Sequence, residues 1–252
     1  MPHALLALTL SNALDILRRG GTWVLAATGV AFILSLRWFS AFGLGYEVVQ
    51  LKELGVYTIG LLAAVAVLVF CLPGEDESEE AEALLLTRPV PVWVLSLGTL
   101  LGRLFPIALL CLLWTFAIFS ALLWFEIEDP SMFSYRGASS ALAETTTLAA
   151  PVLGQFLATS ILLAFVQPIA RMRRPLLVGM TTLGLYVLGY AVAGLGGVWS
   201  VILPDLSRHD LTSMLWGAGV QVSVFALLVH ACAWCAAGVA LDSIGLTVKS
   251  AA

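Results

Sequence analysis

The chain has 252 residues, of which 60% are apolar and 11% charged, with a net charge of −4 and a mean hydropathy of +1.00. Soluble domains carry about 25% charged residues, so this composition excludes an ordinary soluble enzyme and predicts a polytopic membrane protein. The 12 Lys and Arg form no basic tract, which argues against nucleic acid as a partner.

Residues 4–19 predict an amphipathic helix. Leu6, Leu10, Ala13, Leu14 and Leu17 share one face, and Ser11, Asn12, Asp15, Arg18 and Arg19 share another. Such a helix is expected in the membrane interface. Its order, apolar first and arginines after, is the reverse of a secretory signal, so none is expected.

A first span is predicted over about 22–39, with Arg37 and Trp38 near its far end. After a polar connection with Tyr46, Glu47, Lys52 and Glu53, the second span covers about 54–72. The next stretch, from Gly74 to Pro91, places six acids in eight positions (Glu75, Asp76, Glu77, Glu79, Glu80 and Glu82), then three leucines, Thr87, Arg88 and a Pro-Val-Pro step. It predicts a short helix beside a membrane face, whose leucines either pack on the bundle or dock into a partner.

From Val92 to Phe125 only Arg103 interrupts 34 residues. One helix of that length is about 51 Å long against a hydrocarbon core of about 30 Å. The expectation is therefore an interfacial part up to Arg103 and a third span over 104–125, with Pro106 in its first turn. A polar loop follows over 126–146 and a fourth span over 147–167. A turn with Arg171, Arg173 and Arg174 leads to a fifth span over 176–193. Residues 194–211 are broken by glycines and Pro204 and predict a re-entrant or interfacial excursion. The sixth span is expected over 214–241. The fold class is thus an all-α membrane protein: one domain over 1–252, with six transmembrane helices, an N-terminal interfacial helix and a short helix between spans 2 and 3.

With six spans, the 12 cations divide eight to four. Arg18, Arg19, Arg88, Arg103, Arg171, Arg173, Arg174 and Lys249 fall on one side, Arg37, Lys52, Arg136 and Arg208 on the other. That bias predicts both termini on the cytoplasmic side of a plasma (inner) membrane.

The chemistry of an enzyme is hard to find here. No Gly-rich nucleotide loop occurs, and no carboxylate is expected at mid-span, which argues against a proton relay. His230 is expected to stand alone within the sixth span and His209 in the loop before it; an intramembrane enzyme would have to rest on these two. Gln155, Gln167, Gln221 and Ser223 either line a path or join helices by hydrogen bonds. Gln155, Gln221 and His230 are the candidate path-lining residues. Cys71, Cys111, Cys232 and Cys235 lie in or at the ends of apolar stretches and read as small hydrophobes rather than metal or redox groups.

The run Glu77, Ser78, Glu79, Glu80, Ala81, Glu82, followed by Leu84, Leu85, Leu86, Thr87, Arg88, Pro89 and Val90, resembles the coupling segment of ABC transporter permeases of the ABC-2 exporter type. These six-span proteins include drug-export, gliding-motility and copper-maturation permeases, and their segment carries an acid-x-x-Gly-Thr-Leu-Glu pattern before leucines, Thr and Pro-Val. Here Glu80, Ala81 and Glu82 stand at the Gly-Thr-Leu positions and Ala83 at the last acid. Leu203–Leu211 is similar to the outer link before the last span in some of these permeases. The resemblance implies a permease without its own ATPase activity. Glu79, Glu80, Glu82, Leu84, Leu85, Leu86, Thr87, Arg88 and Pro89 would engage a cytoplasmic ABC ATPase that binds ATP and Mg, and a second permease copy or homologue would complete the path. The altered acidic half also admits a non-transporting scaffold or degenerate permease subunit.

Overall fold

All regular structure among the described residues is helical. The computed structural model describes residues 2–40, 46–72, 90–128, 140–195, 203–216 and 223–251. Among the described residues eight α-helices occur in chain order: α1 (Pro2–Arg18), α2 (Gly20–Ser40), α3 (Glu47–Cys71), α4 (Val92–Glu128), α5 (Ala141–Thr146), α6 (Ala149–Ala170), α7 (Pro175–Leu195) and α8 (Val224–Ala251). Two 3-10 turns, Leu206–His209 and Thr212–Trp216, lie between α7 and α8. Among the described residues six helices are long and apolar enough to cross a membrane: α2, α3, α4, α5 continued into α6, α7 and α8.

Polar contacts between helix ends fix how these six alternate. At one end of the bundle, Arg19 Nη1 donates to the Leu72 carbonyl at 3.3 Å, joining the start of α2 to the end of α3. At the opposite end, Arg37 near the end of α2 pairs with Glu128 at the end of α4. Lys52 at the start of α3 pairs there with Glu144 just before α6. We call the end holding α1, Leu72 and the last turns of α8 the near end, and the other the far end. Exposed Trp23 and Trp93 lie toward the near end and exposed Trp38 and Trp124 toward the far end, as aromatic belts at two membrane surfaces do.

The core is an apolar seam along α3, α4 and α6. Leu51, Ile59, Ile107, Ile118, Leu122 and Leu163 are fully buried in it. Trp114, also fully buried, reaches the Ala26 carbonyl of α2 with its indole N–H at 3.4 Å, and Gly29 leaves the room it occupies. By contrast, α2, α7 and α8 keep most of their side chains on the outside of the bundle. In hydrocarbon this exposure carries no penalty, because lipid chains are as apolar as leucine.

Three expectations need correction. First, α4 is one unbroken helix of 37 residues, about 55 Å long, with Pro106 in its interior rather than in a first turn. Its first turns are backed by α1. Leu5 and Leu8 pack at Gly98, and Asn12 and the Thr9 carbonyl lie over Gly102, so a tertiary partner stabilises a helix that the Arg103 charge and Pro106 alone would end. Second, the contact face of α1 takes in a residue assigned to its polar side: Ala13 and Ile16 are buried there, while Leu6, Leu10 and Leu14 stay exposed. Asn12, assigned to the polar face, is at the helix contact. Third, the last span begins at Val224 rather than near 214, since Thr212–Trp216 is a 3-10 turn packed on α3.

The α6–α7 turn follows directly from its sequence. Met172 and Arg173 donate their backbone N–H groups to Ile169 and Ala170, Arg173 takes a left-handed conformation (φ 53°), and Pro175 opens α7. This hairpin sets Arg171 against α8.

Candidate functional site

The segment 73–89, with the candidate coupling residues Glu79, Glu80, Glu82, Leu84, Leu85, Leu86, Thr87, Arg88 and Pro89, lies outside the described residues, and so does Gln221. Its two flanks are described and share the near end: Leu72, held by Arg19, and Pro91, whose carbonyl accepts from Val94 N at 2.9 Å in the first turn of α4.

At the near end a buried polar lock ties three helices together. Asp242 of α8 has no exposed surface, and its carboxylate accepts from Arg171 Nε at 2.6 Å, Arg171 Nη2 at 3.0 Å and Gln167 Nε2 at 2.7 Å. Gln167 Nε2 also reaches the Ser96 carbonyl of α4 at 3.0 Å, and Ser96 Oγ donates to the Val239 carbonyl at 3.4 Å. A bidentate guanidinium is the partner a buried carboxylate requires. Asp242 lies in the last turns of α8, beside the α6–α7 turn, rather than at mid-span. Gln167 is a helix joiner, one of the two roles open to it from sequence.

At the far end, residues 203–216 form a link laid across the bundle. Its two 3-10 turns are capped by aspartates: Asp205 Oδ1 accepts from Ser207 N at 3.1 Å, and Asp210 Oδ1 from Thr212 N at 3.2 Å. Arg208 Nε donates to Asp205 Oδ2 at 3.1 Å. Four helices hold the link. On α3, Tyr57 Oη lies 2.9 Å from Thr212 Oγ1, and Glu53 accepts from Trp216 Nε1 at 2.9 Å. On α6, Gly154 lets the His209 carbonyl approach so closely that a Cβ there would collide with it. On α7, Gly189 gives the same room to Leu206. On α8 the contact is His230.

His230 is therefore not alone. Its Nδ1 lies 3.1 Å from His209 Nε2, and its Nε2 lies 3.1 Å from Trp234 Nε1, one helical turn on. An indole N–H can only donate. His230 Nε2 must then be the acceptor, so the neutral ring carries its proton on Nδ1 and donates it to His209 Nε2. His209 in turn carries its proton on Nδ1, a buried atom with no hydrogen-bond partner among the described residues. Donor and acceptor roles thus run one way, Trp234 to His230 to His209. With Nδ1 of His230 protonated, the pair has no two lone pairs to offer a metal. His209 is fully buried; that burial first, and then His230 and Arg208, hold its pKa down to about 4.

Gln155, the other described candidate, sits beneath the same link but in a separate group. Its Oε1 accepts from Tyr190 Oη at 3.1 Å and it rests on Gly60 of α3. Gln155, Thr159, Tyr186 and Tyr190 line a narrow crevice that Leu206 of the link covers. Gln155 is engaged by Tyr190 of α7 and Gly60 of α3, and His230 by His209 of the link and Trp234, so the two do not meet. Asp242, Tyr190, Trp234 and Arg171 were not singled out from sequence. Only Trp234 left a readable trace, its four-residue spacing from His230.

Compared with known proteins, the chain matches no protein-family model and no curated protein.

Proposed function

We propose that this chain is the permease subunit of an ATP-driven transporter of the exporter kind, with its ATPase on a separate cytoplasmic chain. The observation that carries the reading is the Leu84–Val90 pattern on the connection between two spans whose flanks share the near end. On this reading the near end is cytoplasmic, in keeping with Arg18, Arg19, Arg103, Arg171, Arg173 and Arg174. A leucine-rich segment with a charged flank suits a groove on a soluble partner, and a second copy or homologue completes the path.

The near-end contacts give such a partner something to move. A displacement of 73–89 pulls on the end of α3, which Arg19 joins to α2, and on the start of α4, which Ser96 and Gln167 join to the Arg171–Asp242 lock. ATP-driven closure of two ATPases would then shift packed helices as units. Hydrolysis, with its ATP and Mg, belongs to the partner.

Purification of the tagged full chain in mild detergent tests this. An ATPase chain should accompany it, and the double change Leu85→Asp/Leu86→Asp should abolish transport while leaving α3 and α4 folded. Failure of any ATPase to associate overturns the proposal. The acids at Glu80 and Glu82 favour a second reading, a non-transporting scaffold in a larger complex. Cargo-stimulated ATPase activity that is lost on changing this chain would eliminate it.

A further inference from the structure

We infer that the His209–His230 pair is a proton-sensitive latch: it fastens the 203–216 link to α8 when neutral and releases it when the far side is acidified. The inference stands on the geometry of the link and holds whether or not the chain is a permease.

The hydrogen-bond chain has a fixed polarity. Trp234 offers only an N–H to His230, so His230 cannot turn its proton toward Trp234 without setting two donors face to face. His230 must keep Nδ1–H toward His209, whose Nε2 must stay bare to receive it at 3.1 Å. Adding a proton to His209 makes both of its nitrogens donors. Every orientation of that imidazolium then presents N–H to N–H across the contact. The ring has no exposed surface and its Nδ1 has no partner among the described residues, so nothing there solvates the new charge. The proton is accepted only if the link leaves α8.

Charged and titratable groups facing the pair do not supply that compensation. On the link itself, Asp205 and Arg208 are paired with each other at 3.1 Å, and Asp210 is engaged by Thr212. The facing side of α7 contributes Tyr186 and Tyr190, which stay neutral in the physiological range. From α3 come Tyr57, bonded to Thr212, and Glu53, bonded to Trp216. From α6 come the uncharged Gly154 and Gln155. Around the pair lie Leu206, Leu211, Leu227 and Ala231, an apolar cluster between link, α6 and α8. Lifting the link would uncover the crevice of Gln155, Tyr186 and Tyr190 that Leu206 closes.

The chain has three histidines, so imidazole signals of the full protein in lipid nanodiscs can be resolved by 15N-histidine labelling, with H3Q removing the third. Both rings of the pair should show the Nδ1–H tautomer at pH 8. Amide hydrogen exchange over 205–215, corrected for the chemical rate, reads the closure of the link. With His209 held at about 4 in the closed state against an ordinary 6.5, protection should fall by about 30-fold from pH 8 to pH 5. His209→Gln, which keeps an acceptor for His230 but does not titrate, should hold the link equally closed at both pH values. His209→Asn, which also offers an amide oxygen and does not titrate, serves the same comparison if the first variant does not fold. An Nε2–H tautomer at His209, an ordinary titration of its ring, or an acid response that persists in both variants overturns the latch.

Discussion

Replacing Arg171 with Gln removes both guanidinium bonds from Asp242 and leaves a carboxylate with no exposed surface and only neutral partners, the Gln167 amide and the Ser96 hydroxyl, to face it. Breaking one side of a buried ion pair costs about 3–5 kcal/mol, most of it from the charge left without compensation rather than from attraction lost. That origin predicts a strong asymmetry. Arg171→Gln alone should destabilise the bundle by about that amount, whereas the double change Arg171→Gln/Asp242→Asn should recover most of it, because an amide at 242 can still pair with Gln167 at 2.7 Å without a charge to bury. Reversible unfolding of the full chain in mixed micelles, followed for wild type, both single variants and the double variant, gives the coupling directly. Because Asp242 is the link from α8 to both α6 and α4, proteolysis before Val224 under native conditions should show α8 loosening first in the single variant. Additivity of the two single changes within about 0.5 kcal/mol would refute the reasoning, since it would mean that the carboxylate is solvated.

Gly154→Ala should lift the link, since its methyl meets the His209 carbonyl; overpacking of about 1–3 kcal/mol, read as lost amide protection over 205–215, outweighs the helix propensity gained. A more protected link would contradict this. Lys52→Met should destabilise the far end by about 3 kcal/mol by stranding Glu144, with Lys52→Met/Glu144→Gln restoring it in thermal unfolding. Trp234→Phe frees His230 to take either tautomer, so the His209 ring should titrate nearer its ordinary value, its apparent pKa moving up from about 4; an unchanged 15N titration would count against the one-way chain. On the permease proposal, neutralising Glu79, Glu80 and Glu82 together should change which ATPase co-purifies without unfolding the bundle; a quantitative pull-down from membranes that recovers no ATPase with either form would count against it.

The six spans were legible because a bilayer imposes its thickness on the chain: apolar runs near 20 residues, closed by Arg37 and Trp38 or by the Arg171–Arg174 turn, leave few alternatives. What sequence obscured were the places where one helix answers another. Arg103 and Pro106 read as a break, but α1, more than 80 residues earlier, lies along Gly98 and Gly102 and sustains the helix through it. Asp242 read as the start of a polar tail because its counter-ion, Arg171, is 71 positions away. His209 and His230, 21 positions apart, read as unrelated because the path of the link depends on small residues at 154 and 189, whose purpose shows only once a carbonyl and a leucine rest on them. Of the candidate site, Gln155 and His230 could be placed from residue type alone, but not the link that unites them.

The Lys52–Glu144 pair carries a consequence for how the protein is made. Lys52 is almost wholly enclosed, yet its carboxylate is encoded 92 residues later, beyond all of α4. Until that carboxylate is synthesised the ammonium lacks the partner it has in the fold, and enclosing a charge without its partner is costly. The order of synthesis therefore makes the second span provisional until the fourth arrives.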